Sequence, residues 1–338
     1  MSMRKLRVIT YIAFSCIGLI LIGHAVWFFW RAEQNTNLPQ TSEKCDCCGP
    51  LRWNVEGEEV IMNGALLSTR FSTLDELKQV VDIAYHQATM GKESVKISHC
   101  SNGIRITSLL ETGVSEEDMR VASRRGYWAQ YKLILVDPYL FWNSRDLIRV
   151  FLLSRRKHDL LGPGDVAFYD FAEMMVDHIL PEDKENIRQK DLTEKGYLNT
   201  FNHVAAQAFV TTLFSEELAE FVADIHERHN MPELITGRFR QEQMNNPDQN
   251  PMDNYVDMMN NEWGQELGKK LKGKHRIDEN TRWSPELIAA YMNDVQDYHS
   301  WAFQIGFEPF QATDERVIRF SKKLNDVLSG VKASDVQE

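Results

Sequence analysis

The sequence predicts an α+β protein with an N-terminal transmembrane helix, a small α+β region and a mainly helical domain. Three observations carry this prediction: an apolar run of 23 residues near the N-terminus, an Asn-Gly pair flanked by alternating apolar residues, and six later segments with helical periodicity. The 338 residues are 43% hydrophobic and 26% charged, which is ordinary for a folded protein with a core.

The N-terminal run, residues 8–30, contains no formal charge and predicts a single membrane-spanning helix. A helix of that length reaches roughly 34 Å, enough to cross a hydrocarbon layer of about 30 Å. Residues 1–7 carry three basic side chains, so the positive-inside rule predicts a cytoplasmic tail and export of everything after residue 30. Signal-peptidase cleavage after Ala25 and lipidation at Cys16 are alternatives, disfavoured because the apolar run continues past both.

Residues 31–50 form a polar stalk that carries most of the cysteines. The disulfide candidates are Cys45, Cys47, Cys48 and Cys100. A bridge from the stalk to Cys100, free thiols and a metal site all remain open, with the disulfide favoured in an oxidising compartment. The exported part contains no N-glycosylation sequon, which favours a bacterial periplasm, with the anchor in the inner membrane.

Residues 51–161 are predicted to form the small α+β region. Thr73 and Glu76 make a capping box that predicts a helix to about Met90. Alternating apolar residues on either side of Asn102-Gly103 predict a β-hairpin with a type I′ turn. The remaining expectations are a helix from Ser115, a buried strand or helix end at 133–136, and an amphipathic helix over 143–157.

Gly162-Pro163-Gly164 predicts a boundary before a helical domain over 165–332. Helical periodicity then predicts helices at about 165–180, 197–213, 215–229, 252–272, 284–302 and 312–329.

Three of these helices carry polar side chains where a plain bundle would bury apolar ones. The first has His203 on a polar face, and the second has His226 and Glu227 in its last turns. The third carries a stripe at helical spacing, Asp253, Asp257, Asn261, Gly264 and Gly268. The stripe runs from carboxylates to glycines, which predicts a face pressed close against a neighbouring helix.

The candidate catalytic residues are His203, His226, Glu227, Asp253, Asp257 and Asn261. A histidine beside a carboxylate is a general base with a fixed tautomer, and Asn261 would position a substrate. Histidines and carboxylates from separate helices also hold divalent metals, for which His203, His226 and Asp253 are candidates. The alternative is a buried hydrogen-bonded network that only fixes the packing of the helices.

The order of these motifs resembles an uncharacterised helical domain of bacterial exported and polymorphic-toxin-like proteins, over about residues 165–300. The residues that carry the resemblance are Asn202-His203, Ala223-Asp224-x-His226-Glu227, Met252-Asp253, Asn260-Asn261-x-x-Gly264 and Trp283-Ser284-Pro285. The resemblance implies a bacterial envelope protein with a hydrolytic site. Asn202 stands where that family has arginine, and the spacing from Asp253 to Asn260 is longer, which puts that activity in doubt.

The function predicted from the sequence is a membrane-anchored envelope hydrolase with a periplasmic substrate such as phospholipid, peptidoglycan or peptide. A non-enzymatic envelope binding or assembly module and an immunity-type protein are the alternatives. The net charge of −11 argues against a nucleic-acid partner and against broad adhesion to anionic lipid, because both need clustered basic side chains.

Overall fold

A computed structural model describes the backbone of residues 43–44, 51–55 and 58–61, and all atoms of residues 62–86, 93–233, 243 and 250–330. The described chain is mixed α+β and mostly helical, as the sequence predicts. None of the helices in these ranges combines the length and apolarity needed to cross a membrane. The predicted cytoplasmic tail, the transmembrane helix and nearly all of the stalk lie outside the described residues.

The β-structure is antiparallel throughout the described residues. Its strands are β1 (Glu43–Lys44), β2 (Leu51–Val55), β3 (Glu58–Met62), β4 (Val81–His86), β5 (Ser94–Ser101) and β6 (Ile104–Glu111). β4, β5 and β6 make a three-stranded sheet, to which the two-residue β1 adds at the β6 edge, while β2 and β3 pair separately. Asn102 and Gly103 have φ values of 49° and 77°, as a type I′ turn requires, so the predicted hairpin is confirmed.

The helices are α1 (Leu74–Leu77), α2 (Glu116–Arg125), α3 (Tyr127–Val136), α4 (Tyr139–Trp142), α5 (Ser144–Ser154), α6 (His158–Leu161), α7 (Phe168–His178), α8 (Pro181–Lys184), α9 (Tyr197–Leu213), α10 (Glu216–Asn230), α11 (Pro251–Lys274), α12 (Pro285–Phe303) and α13 (Glu315–Ser329). The helix predicted from Ser115 is confirmed, with Ser115 and Asp118 in a reciprocal capping box. The six helices predicted after residue 165 are present as α7 and α9 to α13.

The helix predicted from Thr73 to Met90 is wrong. Thr73 does cap a helix, since its side chain accepts a hydrogen bond from the Glu76 backbone, but α1 ends at Leu77. Val81–His86 then forms a strand whose partner is β5. Val81 and Ile83 are β-branched and flank the polar Asp82, a pattern that favours a strand once a neighbouring strand is present.

The segment 133–136 ends a helix, as one of the two alternatives predicted, but it is not buried. Leu135 and Val136 stand 42% and 63% exposed at the end of α3. The expectation of burial fails because no residue of this helix is buried and no described element covers it.

One hydrophobic core runs through both regions that the sequence predicts on either side of Gly162–Gly164. It includes Ile97 of the sheet as well as Phe168 and Phe209 of the helices. Phe209 stacks on Phe168 at 5.4 Å and on Tyr291 at 4.6 Å between ring centroids, so α9 lies at the centre of the helical layer.

The close approach predicted from the glycine stripe is confirmed. A Cβ atom on Gly264 would lie 2.6 Å from the carbonyl oxygen of Val204, and one on Gly268 would lie 2.6 Å from that of Ala208. Only glycine allows α9 and α11 to pack with their backbones in such contact. This contact brings the polar faces of the two helices together.

Candidate functional site

Three helices each contribute one potential ligand to a largely buried cluster. The cluster consists of His203 from α9, Glu227 from α10 and Asp257 from α11, and we call it the triad. One nitrogen or oxygen atom of each side chain lies within 4.8 Å of the others. The sequence predicts all three as site residues, and the fold brings them together.

One hydrogen bond and one close contact orient the imidazole of His203. Its Nδ1 lies 2.9 Å from Oδ1 of Asn261, and its Nε2 lies 3.4 Å from Oδ2 of Asp257. Because an amide oxygen only accepts, Nδ1 carries the proton and the Nε2 lone pair faces the carboxylate. Burial lowers the pKa of His203 to about 4, so the ring is neutral. Two electron pairs that face each other in this way require a proton or a cation between them.

The two carboxyl groups of the triad are also buried. Asn199 donates a hydrogen bond of 2.7 Å to Oδ1 of Asp257. Burial raises the pKa of Asp257 well above its usual range, and the neighbouring charges of Asp253 and Glu227 raise it further. Without a compensating cation, Asp257 therefore holds a proton.

Glu227 is the least satisfied member of the triad. Its side chain is 2% exposed, and its Oε1 atom has no hydrogen-bond partner among the described residues. Burial raises the pKa of Glu227 to about 7. A buried carboxyl oxygen without a partner is costly, which makes it a natural ligand for a bound ion.

Asp253, also predicted as a site residue, lies one helical turn before Asp257 but has its own partners. Lys195 donates to its Oδ2 at 2.5 Å, and the Ser68 hydroxyl donates to its Oδ1 at 3.0 Å. Asp253 therefore contributes charge to the site, and its two oxygens are already engaged.

His226 lies on the solvent side of the triad. Its side chain is about half exposed, at 52%, and its ring centroid is 6.4 Å from that of His203. Its Nδ1 faces Oε2 of Glu116 at 3.2 Å, and this hydrogen bond raises the pKa of His226. The residue is placed to exchange protons with the solvent side of the site.

Two neighbours of the site were not predicted from the sequence, Lys195 and Glu116. Lys195 lies in the loop just before α9, where no periodicity marks it. Glu116 belongs to the first turn of α2, where an acidic residue is already explained by the helix dipole. Neither position carries a local signal of a site, because each meets it only through the tertiary fold.

Comparisons with protein-family models, with curated proteins and with solved structures found no match. The resemblance to the bacterial helical domain therefore stays a prediction.

Proposed function

We propose that this protein is a membrane-anchored envelope hydrolase that uses a divalent cation held by His203, Glu227 and Asp257. One observation carries the proposal. Ligand atoms of a partly buried histidine and two buried carboxyl groups, from three helices, converge within 4.8 Å, and one of the carboxyl oxygens has no hydrogen-bond partner among the described residues.

The spacing and charge of these side chains suit a divalent cation. Ligand atoms bound at about 2.1 Å around one ion lie roughly 3 to 4 Å apart, a small adjustment from the distances in the triad. When ionised, Glu227, Asp257 and Asp253 carry three negative charges, of which Lys195 neutralises one. The remaining two negative charges match the charge of one divalent ion. One imidazole and two carboxylates favour Zn²⁺ or Mn²⁺.

A cation held by His203, Glu227 and Asp257 would supply Lewis-acid activation of a water molecule. Asn261 accepts a hydrogen bond from Nδ1–H of His203, which leaves the Nε2 lone pair free to hold a cation. Glu116 orients Nδ1 of His226, which leaves Nε2 of the half-exposed ring to donate or accept a proton at the leaving group.

The location proposed for this activity is the outer face of a bacterial inner membrane. The apolar run 8–30 with basic residues before it supports a single anchor with its N-terminus in the cytoplasm. Cys100 is disulfide-bonded, and its partner lies outside the described residues. A disulfide fits an oxidising compartment.

Metal content is the direct test. The full-length protein, purified in detergent and loaded with Zn²⁺ or Mn²⁺, should retain about one ion per chain after desalting. Asp257→Asn and Glu227→Gln keep the shape of the side chains but remove a charged ligand, so both should lose the ion. His275→Gln is the matched control, since His275 pairs with Asp294 at 2.7 Å outside the triad.

Two results would contradict the proposal in different ways. A wild-type protein that binds no metal would exclude the cation site. A protein that binds one metal ion per chain but hydrolyses no phospholipid, peptidoglycan or peptide substrate would contradict the hydrolase. The metal site would then be structural. Hydrolysis should disappear in Asp257→Asn and persist in His275→Gln.

A non-enzymatic envelope module is the second candidate, and Asn260 favours it. This side chain is fully buried, accepts from the backbone of Leu66 at 2.8 Å and donates to it at 2.9 Å. A polar side chain next to the stripe thus belongs to a satisfied network that joins α11 to the chain before α1. If the triad is also structural, Asp257→Asn should lower Tm, whereas a binding site should tolerate it.

A further inference from the structure

An apolar helix stands on the surface, and no element among the described residues covers it. Eight of the ten residues of α3 are apolar, and none of the ten is buried. Tyr127 and Trp128, in its first turn, are 82% and 81% exposed. A helix that is apolar on all sides normally belongs in a core or a membrane.

The exposed surface continues into the next helix. Phe141 and Trp142 in α4 are 55% and 65% exposed, and their rings meet edge to face. We call α3 and α4 together the aromatic ledge. At 150–250 Å² for each aromatic side chain, its exposed apolar area is roughly 600 Å². An exposed apolar area at the upper end of the range found on monomers is typical of an interaction surface.

The ledge is attached firmly to the helix that carries Glu227. Tyr139, at the start of α4, stacks on Phe221 of α10 with 4.4 Å between the ring centroids. Phe221 precedes Glu227 by six residues, or about 9 Å along the helix axis. The ledge and the triad therefore keep a defined relation to each other within the folded domain.

We propose that the aromatic ledge docks on the lipid bilayer, with its aromatic rings in the headgroup region of the membrane that the anchor crosses. This inference rests on the membrane anchoring proposed above. Tryptophan and tyrosine are the side chains enriched at membrane–water interfaces, because each has an apolar body and a polar group.

Two further observations favour lipid as the occupant. Glu43 follows Trp30 by only thirteen residues, so an extended chain keeps the start of the folded domain within about 45 Å of the end of the apolar run. The segment 124–145 has four basic side chains and one acidic one, although the whole chain has a net charge of −11. The basic members, all exposed, are Arg124, Arg125, Lys132 and Arg145. Their charge complements anionic phospholipid headgroups locally.

Photo-crosslinking in the full-length protein tests the proposal. The protein is reconstituted into vesicles of phosphatidylethanolamine and phosphatidylglycerol, with p-benzoylphenylalanine in place of Trp128. Matched versions carry the same photo-reactive residue in place of Leu19, inside the apolar run, or of Ile318, which is 47% exposed on α13. Adducts are identified by mass. Because Trp128 packs on no core, this replacement should leave Tm unchanged.

The expected result is a lipid adduct at 128 that approaches the yield at 19, with none at 318. An adduct at 19 without one at 128 would overturn the docking surface and leave the anchor standing. If neither position 19 nor position 128 formed a lipid adduct, both the membrane anchor and the docking surface would be contradicted. An adduct at 128 to a second copy, to another segment of the same chain or to a different protein would replace lipid as the occupant and overturn the proposal. The metal measurement is independent of every one of these outcomes.

Discussion

Gly264→Ala should test the packing that assembles the site. The added Cβ would lie 2.6 Å from the Val204 carbonyl oxygen, 2.8 Å from Cβ of Gln207 and 3.0 Å from Cα of Val204. Ordinary contacts begin at 3.4 Å, so α9 and α11 must separate by about 0.8 Å at this point. Backbone atoms make two of the three contacts, which means that no side-chain rotation relieves them.

The expected change in stability is the difference between two effects. Overpacking a well-filled contact costs about 1–3 kcal/mol, and sometimes more. Replacing glycine by alanine inside a helix stabilises the helix by about 1 kcal/mol, because alanine has the higher helix propensity. Because two of the contacts are with backbone atoms, we expect an overpacking cost of about 3 kcal/mol. The net loss in the free energy of unfolding is then about 2 kcal/mol. For a unit of about 290 residues, that loss lowers Tm by about 3 °C.

Thermal unfolding of the full-length protein in detergent measures this difference. Gly273→Ala is the matched control, because it lies in the last turns of the same helix and its Cβ would meet nothing within 4 Å. The control should be neutral or more stable than wild type. If Gly264→Ala also raised Tm, the two helices would not approach as closely as described. Weaker metal binding by Gly264→Ala should accompany the loss, since the contact sets the distance between His203 and Asp257.

Three further perturbations have defined outcomes. Lys323→Met leaves the buried carboxylate of Asp165 without its cationic partner, which lies 2.9 Å away, so it should destabilise the protein by about 3–5 kcal/mol in thermal unfolding. A loss below about 1 kcal/mol would contradict this. With metal chelated, stability should fall as pH rises from 4.5 to about 7, because folded Glu227 keeps a proton that the unfolded chain has released. Glu227→Gln should flatten this part of the Tm profile, and an unchanged slope would contradict the assignment. Reductant should lower Tm by opening the Cys100 disulfide, whose loss costs about 2–4 kcal/mol, and Cys100→Ser should abolish that response; an equal response in both proteins would point to another reducible bond.

Much of the fold could be predicted because its signals are local. The cap at Ser115 and the left-handed pair Asn102-Gly103 act within a few residues, so the helix and the hairpin that they define are where the sequence predicts them. The strand at Val81–His86 could not be predicted in this way. Its stability comes from pairing with β5, and the capping signal at Thr73 favours a helix until that pairing is considered.

The sequence predicts which residues of the candidate site share one side of a helix. It does not predict which of these residues contact each other. Helical spacing placed Asp257, Asn261 and the glycines on one side of α11 and so predicted a close neighbour. It could not say which histidine would meet Asp257, because that depends on how three helices pack. The structure pairs Asp257 with His203 and turns His226 toward Glu116.

The sequence by itself determined the helices of the second region, the hairpin, the apolar N-terminal run and the glycine stripe, because each follows from residues close together in the chain. Only the tertiary structure decided that Lys195 and Ser68 contact the carboxylate of Asp253. It also decided that, among the residues that the structure describes, one oxygen of Glu227 has no hydrogen-bond partner and α3 is not covered. These features depend on which surfaces remain in contact after the whole chain has packed. Periodicity shows which face of a segment is suited to burial, whereas the tertiary fold determines whether another element packs against that face.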